Sequence, residues 1–203
     1  MGSILLASAS PRRQELLSQI GVSFTVRSQD IDESIRATEP ADDYVRRMSL
    51  EKAQSALRSL SETDDSQSIL VLAADTSVVC DADVLGKPAD EGDAVAMLMR
   101  LSGREHRVLS AVTLASMSEH RTALSESLVR FRVIDIEEAS QYAAGGEPNG
   151  KAGAYAIQGY AAVFVEQLIG SYSGVMGLPL FETAQLLAEF KVPMLSTSQA
   201  TVV

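Results

Sequence analysis

The sequence predicts an α/β fold built on a mixed β-sheet, and three observations lead to that prediction. Segments typical of strands and of helices alternate along the whole chain, as in sheets covered by helices. Two long apolar segments follow each other directly after residue 105, so antiparallel strands are expected to make the sheet mixed. The 203 residues are 46% hydrophobic, enough for one compact domain or two closely joined lobes.

The first half of the chain shows a central strand and clear helix signals. Ser10 and Pro11 stand where a helix N-cap and first helical residue are expected, and Gly103 suits a left-handed C-terminal cap. Asp75-Thr76 interrupts an apolar segment, which predicts a central strand with one polar break. The predicted elements are strand 4–7, the central strand 69–80 with its polar break at 75–76, helices 11–20, 40–60 and 90–103, and a polar segment 61–68.

The second half begins with two long neighbouring strands and then turns helical. Asp135 and Glu138 have the spacing of a capping box, which predicts a helix start between them. The predicted elements are strands 107–116 and 124–133, helix 136–144, an ordered loop 145–159 containing a short strand, strand 162–169, a glycine-rich loop 170–177 and helix 179–190. Residues 1–190 are expected to form one domain with two lobes, followed by a flexible tail 191–203.

Composition restricts the partners of the chain. The formal charge of −10 and the pI of about 4.7 oppose nucleic-acid binding, which depends on Lys and Arg. Cys80 is the single cysteine, and its apolar neighbours predict a buried thiol in a reducing compartment. The N-terminus lacks a charged leader, and no stretch approaches the ~20 apolar residues that cross a bilayer. We therefore expect a cytoplasmic protein without nucleic-acid or membrane partners.

Several positive groups are candidates for phosphate binding. The segment Ser8-Ala9-Ser10-Pro11-Arg12-Arg13 joins a strand end to a helix start, where free backbone N–H groups and two arginines can hold phosphate oxygens. The alternative is a capped helix with two solvated arginines. Lys52 lies beside the apolar face of its helix, and Lys87 sits between a glycine and a proline that can aim its ammonium group. Taken singly, each lysine also fits ordinary surface charge.

Two carboxylates and one glycine-rich segment complete the candidates. Asp75 lies inside an apolar strand, where a buried carboxylate needs a cation or a catalytic water; the alternative is a turn aspartate. Glu33, in an acidic loop, could share a metal with it or simply be solvated. The segment 146–159 would let a ligand approach its backbone, and Gln158 offers both a donor and an acceptor for a base edge or a water. A structural turn is the alternative for that segment.

Familiar catalytic motifs are missing from the sequence. There is no glycine-rich phosphate loop with Lys-Ser or Lys-Thr, no dinucleotide fingerprint and no His/Cys cluster with zinc spacing. His106 and His120 are the only histidines, so a histidine-based nucleophilic triad is not expected, and His106 is interpreted as structural.

Taken in order, these segments resemble the Maf family of nucleotide pyrophosphatases. The matching segments are 6–17 (Leu-Ala-Ser-Ala-Ser-Pro-Arg-Arg-Gln-Glu-Leu-Leu), 31–33, 44–53, 74–76, 85–88 (Leu-Gly-Lys-Pro), 101–103 with His106, 151–159 (Lys-Ala-Gly-Ala-Tyr-Ala-Ile-Gln-Gly) and 177–180. The resemblance implies a long curved mixed sheet flanked by helices, two lobes with a central cleft as in the inosine triphosphate pyrophosphatases, and a homodimer.

The resemblance also implies an activity, hydrolysis of a nucleoside triphosphate to the monophosphate and pyrophosphate with a divalent cation (Mg²⁺, or Mn²⁺ or Co²⁺). The implied substrate-binding residues are Ser8, Arg12, Arg13 and Thr76. The implied catalytic residues are Asp75, Glu33, Lys52, Lys87 and Gln158, with Asp75 and Glu33 as metal ligands. Attack at the α-phosphorus requires neutralised oxygens and a water held in line, and Asp75 is either the base or a metal ligand.

The segment Lys151–Gly159 is similar to the branch of the family that acts on dTTP, UTP and modified pyrimidine nucleotides. The alternatives are a 7-methyl-GTP pyrophosphatase and a nucleotide-binding regulator of septum formation and cell division. The sequence departs from the family pattern in three places. Ala74 stands where glycine is usual, Gly150 where aspartate is usual, and Leu109-Ser110-Ala111 where a Thr-Gly pair is common.

Overall fold

The computed structural model describes residues 3–60 and 69–195. Its elements are β1 (Ile4–Leu6), α1 (Pro11–Gln19), β2 (Phe24–Val26), α2 (Ala41–Arg58), β3 (Leu70–Cys80), β4 (Asp83–Leu85), α3 (Glu91–Leu101), β5 (Glu105–Ala115), β6 (His120–Phe131), α4 (Ile136–Ala144), β7 (Val165–Ile169), α5 (Tyr172–Met176) and α6 (Leu180–Glu189). Two 3-10 segments, Ala152–Ala154 and Tyr160–Phe164, precede β7. Within the described ranges, no helix is long and apolar enough to cross a membrane.

The strands form one seven-stranded sheet in the order β2-β1-β3-β5-β6-β7, with β4 added to β3. β1 runs parallel to β2 and β3, whereas β3, β5, β6 and β7 pair antiparallel. Helices flank this sheet, so the predicted mixed α/β fold is confirmed.

The edge of β3 opposite β5 is interrupted in its middle. β5 pairs with residues 71–79 of β3. Since a strand has only two edges, β1 and β4 share the other one: β1 pairs with residues 70–72 and β4 with residues 78–80. Residues 73–77 therefore have a strand partner on one edge alone, and this gap opens the sheet between its two halves.

The two largest apolar clusters of the described residues lie on either side of that gap, and two smaller clusters include residues of α2. The core near β4 includes Leu98, Phe131 and Phe164, all fully buried. The core near β1 includes Leu17 and Leu187, also fully buried, from the first and last long helices. Burial of such side chains stabilises each half of the sheet by about 1.5–3 kcal/mol per residue.

The predicted central strand that carries a polar pair is confirmed. β3 runs without interruption from Leu70 to Cys80, and Asp75 pairs in register with Ala111 of β5. The strand tolerates the carboxylate because the Lys52 ammonium group lies 2.7 Å from it. The interpretation of Asp75 as a turn residue is thereby excluded. Cys80 is buried and free, as predicted.

The glycine-rich regions contain more helix and less strand than predicted. Loop 145–159 holds a 3-10 segment instead of a short strand, and loop 170–177 contains α5. The strand predicted over 162–169 begins only at Val165, because residues 160–164 form a 3-10 segment. β2 and β4, three residues each, were not predicted, because they are largely exposed and lack the apolar run that identified β1.

Two capping predictions need correction. Ser10 occupies the N-cap position of α1 but makes no side-chain cap; its own N–H donates to the Ser8 hydroxyl at 3.2 Å. At α4, Asp135 accepts from the Glu138 N–H at 2.8 Å, but the Glu138 carboxylate pairs with Arg132. Only half of the predicted capping box is present, because the arginine is the stronger partner. Gly103 has the expected left-handed φ of 67°.

The end of the domain continues a few residues past α6. Val192 N–H donates to the Leu187 carbonyl at 2.8 Å, and Leu195 N–H to the Ile20 carbonyl at 3.1 Å. Residues 191–195 thus lie against the β1 core. The rest of the predicted tail, and the predicted polar segment 61–68, lie outside the described residues.

Candidate active site

A cleft of about 1000 Å³ opens where the edge of β3 is unpaired. It is lined by the start of α1, the acidic loop before α2, the middle of β3, the β4–α3 connection, the segment 146–159 and the end of α5. Every site residue predicted from the sequence lines this cleft: Ser8, Arg12, Arg13, Glu33, Lys52, Asp75, Thr76, Lys87 and Gln158. The fold therefore gathers residues that are up to 150 positions apart in the chain.

A chain of alternating charges runs across the cleft. Lys52 Nζ lies 2.7 Å from Asp75 Oδ1 and 2.7 Å from Glu33 Oε1, and Lys87 Nζ lies 3.0 Å from Glu33 Oε2. The Lys52 and Asp75 side chains are 10% and 12% exposed, whereas that of Lys87 is 60% exposed. Lys52 is therefore a buried cation rather than surface charge, and Glu33 is an ion-paired residue rather than a merely solvated one.

The two lysines keep Glu33 ionised. Desolvation is the largest influence and opposes ionisation, but hydrogen bonds and charge from Lys52 and then Lys87 outweigh it and lower the pKa of Glu33 to about 2. Tyr44 Oη donates to the Glu33 backbone carbonyl at 2.9 Å. Burial, then the charges of Asp75 and Glu33, raise the pKa of Tyr44 to about 12, so it stays a hydrogen-bond donor.

Ser8 and Arg13 form the positive end of the cleft at the start of α1. The Ser8 hydroxyl accepts from Ser10 N–H at 3.2 Å and from Arg13 Nη1 at 3.2 Å. Both lone pairs of Ser8 are thus engaged, and its proton is left to donate into the cleft. Arg13 Nε donates to the Gly177 carbonyl at 2.8 Å, which fixes the guanidinium, while Arg12 pairs with Glu15 at 2.9 Å.

Asp75 and Thr76 face opposite sides of the sheet because successive strand residues alternate. Asp75 meets Lys52 on the side of α2, whereas the Thr76 hydroxyl lies 2.9 Å from the Ser110 hydroxyl on the side of α5. Both reach the cleft because it passes through the open edge of β3. One short strand segment thereby serves both walls.

The glycine-rich segment lies close against the sheet and carries Gln158. A Cβ on Gly153, whose φ is 67°, would lie 2.8 Å from the Val78 methyls, so the backbone approaches as only glycine allows. The Glu147 carboxylate accepts from Tyr160 N–H at 2.9 Å and holds the end of the segment. The Gln158 amide makes no hydrogen bond to another residue of the described ranges, which leaves it available to a ligand.

His106 supports this segment from the core. Its Nε2 lies 2.9 Å from Tyr155 Oη, and its ring packs edge-on against Phe131 and Tyr155. Burial lowers the pKa of His106 to about 4, so the ring is neutral. This position fits the structural role predicted from the sequence.

Two polar neighbours of the predicted residues went unrecognised in the sequence. Tyr44 was interpreted as part of the apolar face of α2, yet its hydroxyl holds the Glu33 loop. Ser110 was noted only as a departure from a family pattern, yet it bonds Thr76. A hydroxyl in the middle of an apolar strand is the signal that could have identified Ser110.

The carboxylates fit a hard divalent cation that is shared with a ligand. Across residues 3–60 and 69–195, no group of three or more His, Cys, Asp or Glu side chains is arranged to hold a metal ion. Asp75 and Glu33 contact one ammonium group, so their oxygens are no further apart than the sum of two 2.7 Å contacts. Magnesium is commonly held by one or two carboxylates plus substrate phosphates, which is the donor set these two residues would supply.

The fold and the cleft together define an α/β protein whose polar groups suit a polyanionic ligand. More particularly, the chain belongs to the Maf family, because the family model described as Maf-like protein matches residues 3–190. The resemblance seen in the sequence is thereby confirmed.

Relatives extend over almost the whole chain. The dTTP/UTP pyrophosphatase of Cupriavidus metallidurans is 53% identical over 93% of this chain and 98% of that protein. The dTTP/UTP pyrophosphatase of Aromatoleum aromaticum is 49% identical over 94% of this chain and 97% of that protein. Among solved structures, the Staphylococcus aureus Ham1 protein aligns with a TM-score of 0.45 and 12% identity over 64% of this chain and 71% of that one.

Proposed function

We propose that this chain hydrolyses dTTP and UTP to the corresponding monophosphate and pyrophosphate. The observation that carries the proposal is the charge chain in the cleft, in which Glu33 and Asp75 hold Lys52 and Lys87 beside the positive start of α1. Relatives about half identical over nearly the whole chain are named dTTP/UTP pyrophosphatases, which supports the choice of substrate.

The cleft offers a set of donors for a triphosphate. Ser8 has a free proton, and Arg13 is fixed by Gly177, so both are oriented before the ligand arrives. Lys52 and Lys87 now bind carboxylates, and phosphate oxygens can take over those contacts because they carry the same charge. The exposed Arg12 adds a further cation at the mouth of the cleft. Charge on the phosphates is thereby neutralised, as attack at phosphorus requires.

The reaction then needs a water in line with the leaving pyrophosphate. Water attacks the α-phosphorus, a new P–O bond forms, and the bond from that phosphorus to the bridging oxygen breaks. Asp75 is buried at the centre of the cleft and is the carboxylate that accepts the proton of the water. Pyrophosphate leaves with the electron pair of the broken bond, held by the lysines and arginines.

Asp75 and Glu33 would hold a divalent cation, most simply Mg²⁺, together with the phosphates. When bound, that ion would supply positive charge to the phosphate oxygens. Lys52 must release at least one of the two carboxylates for this, and a bound phosphate provides the ammonium group with its replacement partner. Metal and triphosphate are thus expected to bind together.

The nucleoside would lie against the segment 146–159 and the end of α5. Gln158 provides a donor and an acceptor there, and Thr76 provides a hydroxyl on the side of α5. The homodimer, the cytoplasmic location and the absence of nucleic-acid partners stay predictions from the sequence.

The proposal is tested by incubating the purified protein with Mg²⁺ and dTTP, UTP, CTP, GTP or 7-methyl-GTP, and separating the products by chromatography. Monophosphate and pyrophosphate from dTTP and UTP are expected. Preferential cleavage of 7-methyl-GTP would favour the other branch of the family. Nucleotides that raise the Tm but stay intact, with Mg²⁺ or Mn²⁺, would instead favour a nucleotide-binding regulator of septum formation.

A further inference from the structure

Two hydroxyls connect the sheet to α5 beside the cleft: half-buried Thr76, which lines the cleft, and buried Ser110 behind it. Ser110, 1% exposed, donates through Oγ to the Gly174 backbone carbonyl at 2.6 Å. The same Oγ lies 2.9 Å from Thr76 Oγ1. Thr76 and Ser110 are direct partners in the register of β3 and β5, so the sheet itself holds the two hydroxyls together.

The chemistry of these groups determines the direction of both hydrogen bonds. A carbonyl oxygen can only accept, and a serine hydroxyl has a single proton. Because the Ser110 proton goes to Gly174, Thr76 must donate in its contact with Ser110. The Thr76 proton is thereby used inside the protein, and only its lone pairs remain for a ligand in the cleft.

The Ser8 hydroxyl, at the start of α1, shows the opposite hydrogen-bond polarity. It accepts two hydrogen bonds, from Ser10 and Arg13, and keeps its proton for a ligand. Phosphate oxygens at neutral pH accept hydrogen bonds, so Ser8 suits a phosphate and Thr76 does not. The two hydroxyls thus suit different groups of a bound nucleotide.

We propose that Ser110 is a positioning residue that makes Thr76 a hydrogen-bond acceptor, so that Thr76 binds an N–H or O–H group of the nucleoside and not a phosphate. The inference rests on the proposed function and specifies how the site recognises the substrate. Since dTTP and UTP differ at the 2′-hydroxyl, the donors they share are the imide N–H of the base and the 3′-hydroxyl.

The test compares kcat/KM for UTP with two analogues, each lacking one donor. In 3-methyl-UTP a methyl group replaces the imide proton, and 3′-deoxy-UTP lacks the sugar hydroxyl. For the wild-type protein, kcat/KM is expected to be roughly tenfold lower with one of the two analogues than with UTP, because the Thr76 acceptor is left without its partner. This ratio of kcat/KM values is the discrimination. Thr76→Val, which keeps the shape without lone pairs, should remove this discrimination.

Inhibition by inorganic tripolyphosphate provides the matched control. Thr76→Val should leave the inhibition constant within about twofold of wild type, whereas Ser8→Ala should weaken it roughly tenfold through loss of a hydrogen bond to a charged group. An equal loss of tripolyphosphate binding in both variants would overturn the proposal, since Thr76 would then serve a phosphate. Full activity of the wild type with both analogues would overturn it as well.

The role of Ser110 is tested by two substitutions whose folding is checked by circular dichroism. Ser110→Ala frees the Thr76 proton and should reduce the discrimination at least threefold, while Ser110→Thr retains the hydroxyl and should restore it. Discrimination that is unchanged in Ser110→Ala would refute the positioning role. Dissociation constants of UTP and of the two analogues are measured for the same proteins. If the protein does not turn over nucleotides, the proposed hydrolysis is overturned, but the ratios of dissociation constants still test the role of Ser110.

Discussion

Replacing Lys52 by methionine should destabilise the protein far more than the same replacement at Lys87. Both lysines pair with Glu33, but Lys52 also pairs with Asp75, and the side chains of that second pair are 10% and 12% exposed. Removing one partner of a buried ion pair costs about 3–5 kcal/mol, because an uncompensated charge remains. Arg13 remains near the Asp75 carboxylate: burial lowers the pKa of Arg13, and the charge of Asp75 partly restores it. The positive charge of Arg13 compensates part of the Asp75 charge, so we expect Lys52→Met to lower the free energy of unfolding by about 3 kcal/mol.

Lys87→Met is the matched control because its ammonium group leaves the same carboxylate from a 60% exposed side chain. Exposed pairs contribute about 0–1 kcal/mol, so its effect should stay below about 1 kcal/mol. The free energy of unfolding is measured for both variants by urea denaturation at neutral pH. Equal losses in the two variants, or a loss under about 1 kcal/mol for Lys52→Met, would refute the reasoning from burial.

Three further predictions follow from single positions. Burial lowers the pKa of His106 from 6.5 to about 4, so in that window the unfolded chain binds a proton that the folded chain rejects, and stability falls as pH drops. Urea denaturation should show that this proton lowers the free energy of unfolding of the wild type by about 3 kcal/mol between pH 6.5 and 4, and that His106→Gln lacks this contribution. Gly153→Ala should lower the Tm more than Gly150→Ala, because the new Cβ lies 2.8 Å from Val78 at position 153 but meets no atom within 4 Å at position 150, where φ is similar. Equal shifts in Tm would show that backbone strain alone, and not the contact with Val78, causes the loss. Asp75→Asn should reduce kcat for UTP by at least about a hundredfold with an unchanged circular dichroism spectrum, and a near-normal rate would remove it from the mechanism.

Much of the fold could be predicted because the long elements carry their own patterns. α2 shows the helical spacing of its apolar residues, and the apolar length of β5 and β6 suggests strands without reference to anything else. The importance of Asp75 was also visible, since a carboxylate inside an apolar strand needs a partner. That partner, Lys52, could be suggested but not assigned.

What the sequence could not supply are contacts that depend on register and on distant loops. The pairing of Thr76 with Ser110 follows from the alignment of β3 with β5, which has no local signature. The meeting of Glu33 with Lys87 joins two loops 54 residues apart. The contact of Lys52 with Asp75, which lets β3 accept a carboxylate, likewise joins a helix to a strand residue 23 positions further along the chain.

The most direct test of the central claim is hydrolysis of UTP in water enriched with ¹⁸O, followed by mass spectrometry of the products. Attack of water at the α-phosphorus predicts one ¹⁸O atom in UMP and none in the released pyrophosphate. Label in pyrophosphate, or release of labelled orthophosphate, would show attack at another phosphorus and contradict the proposed reaction.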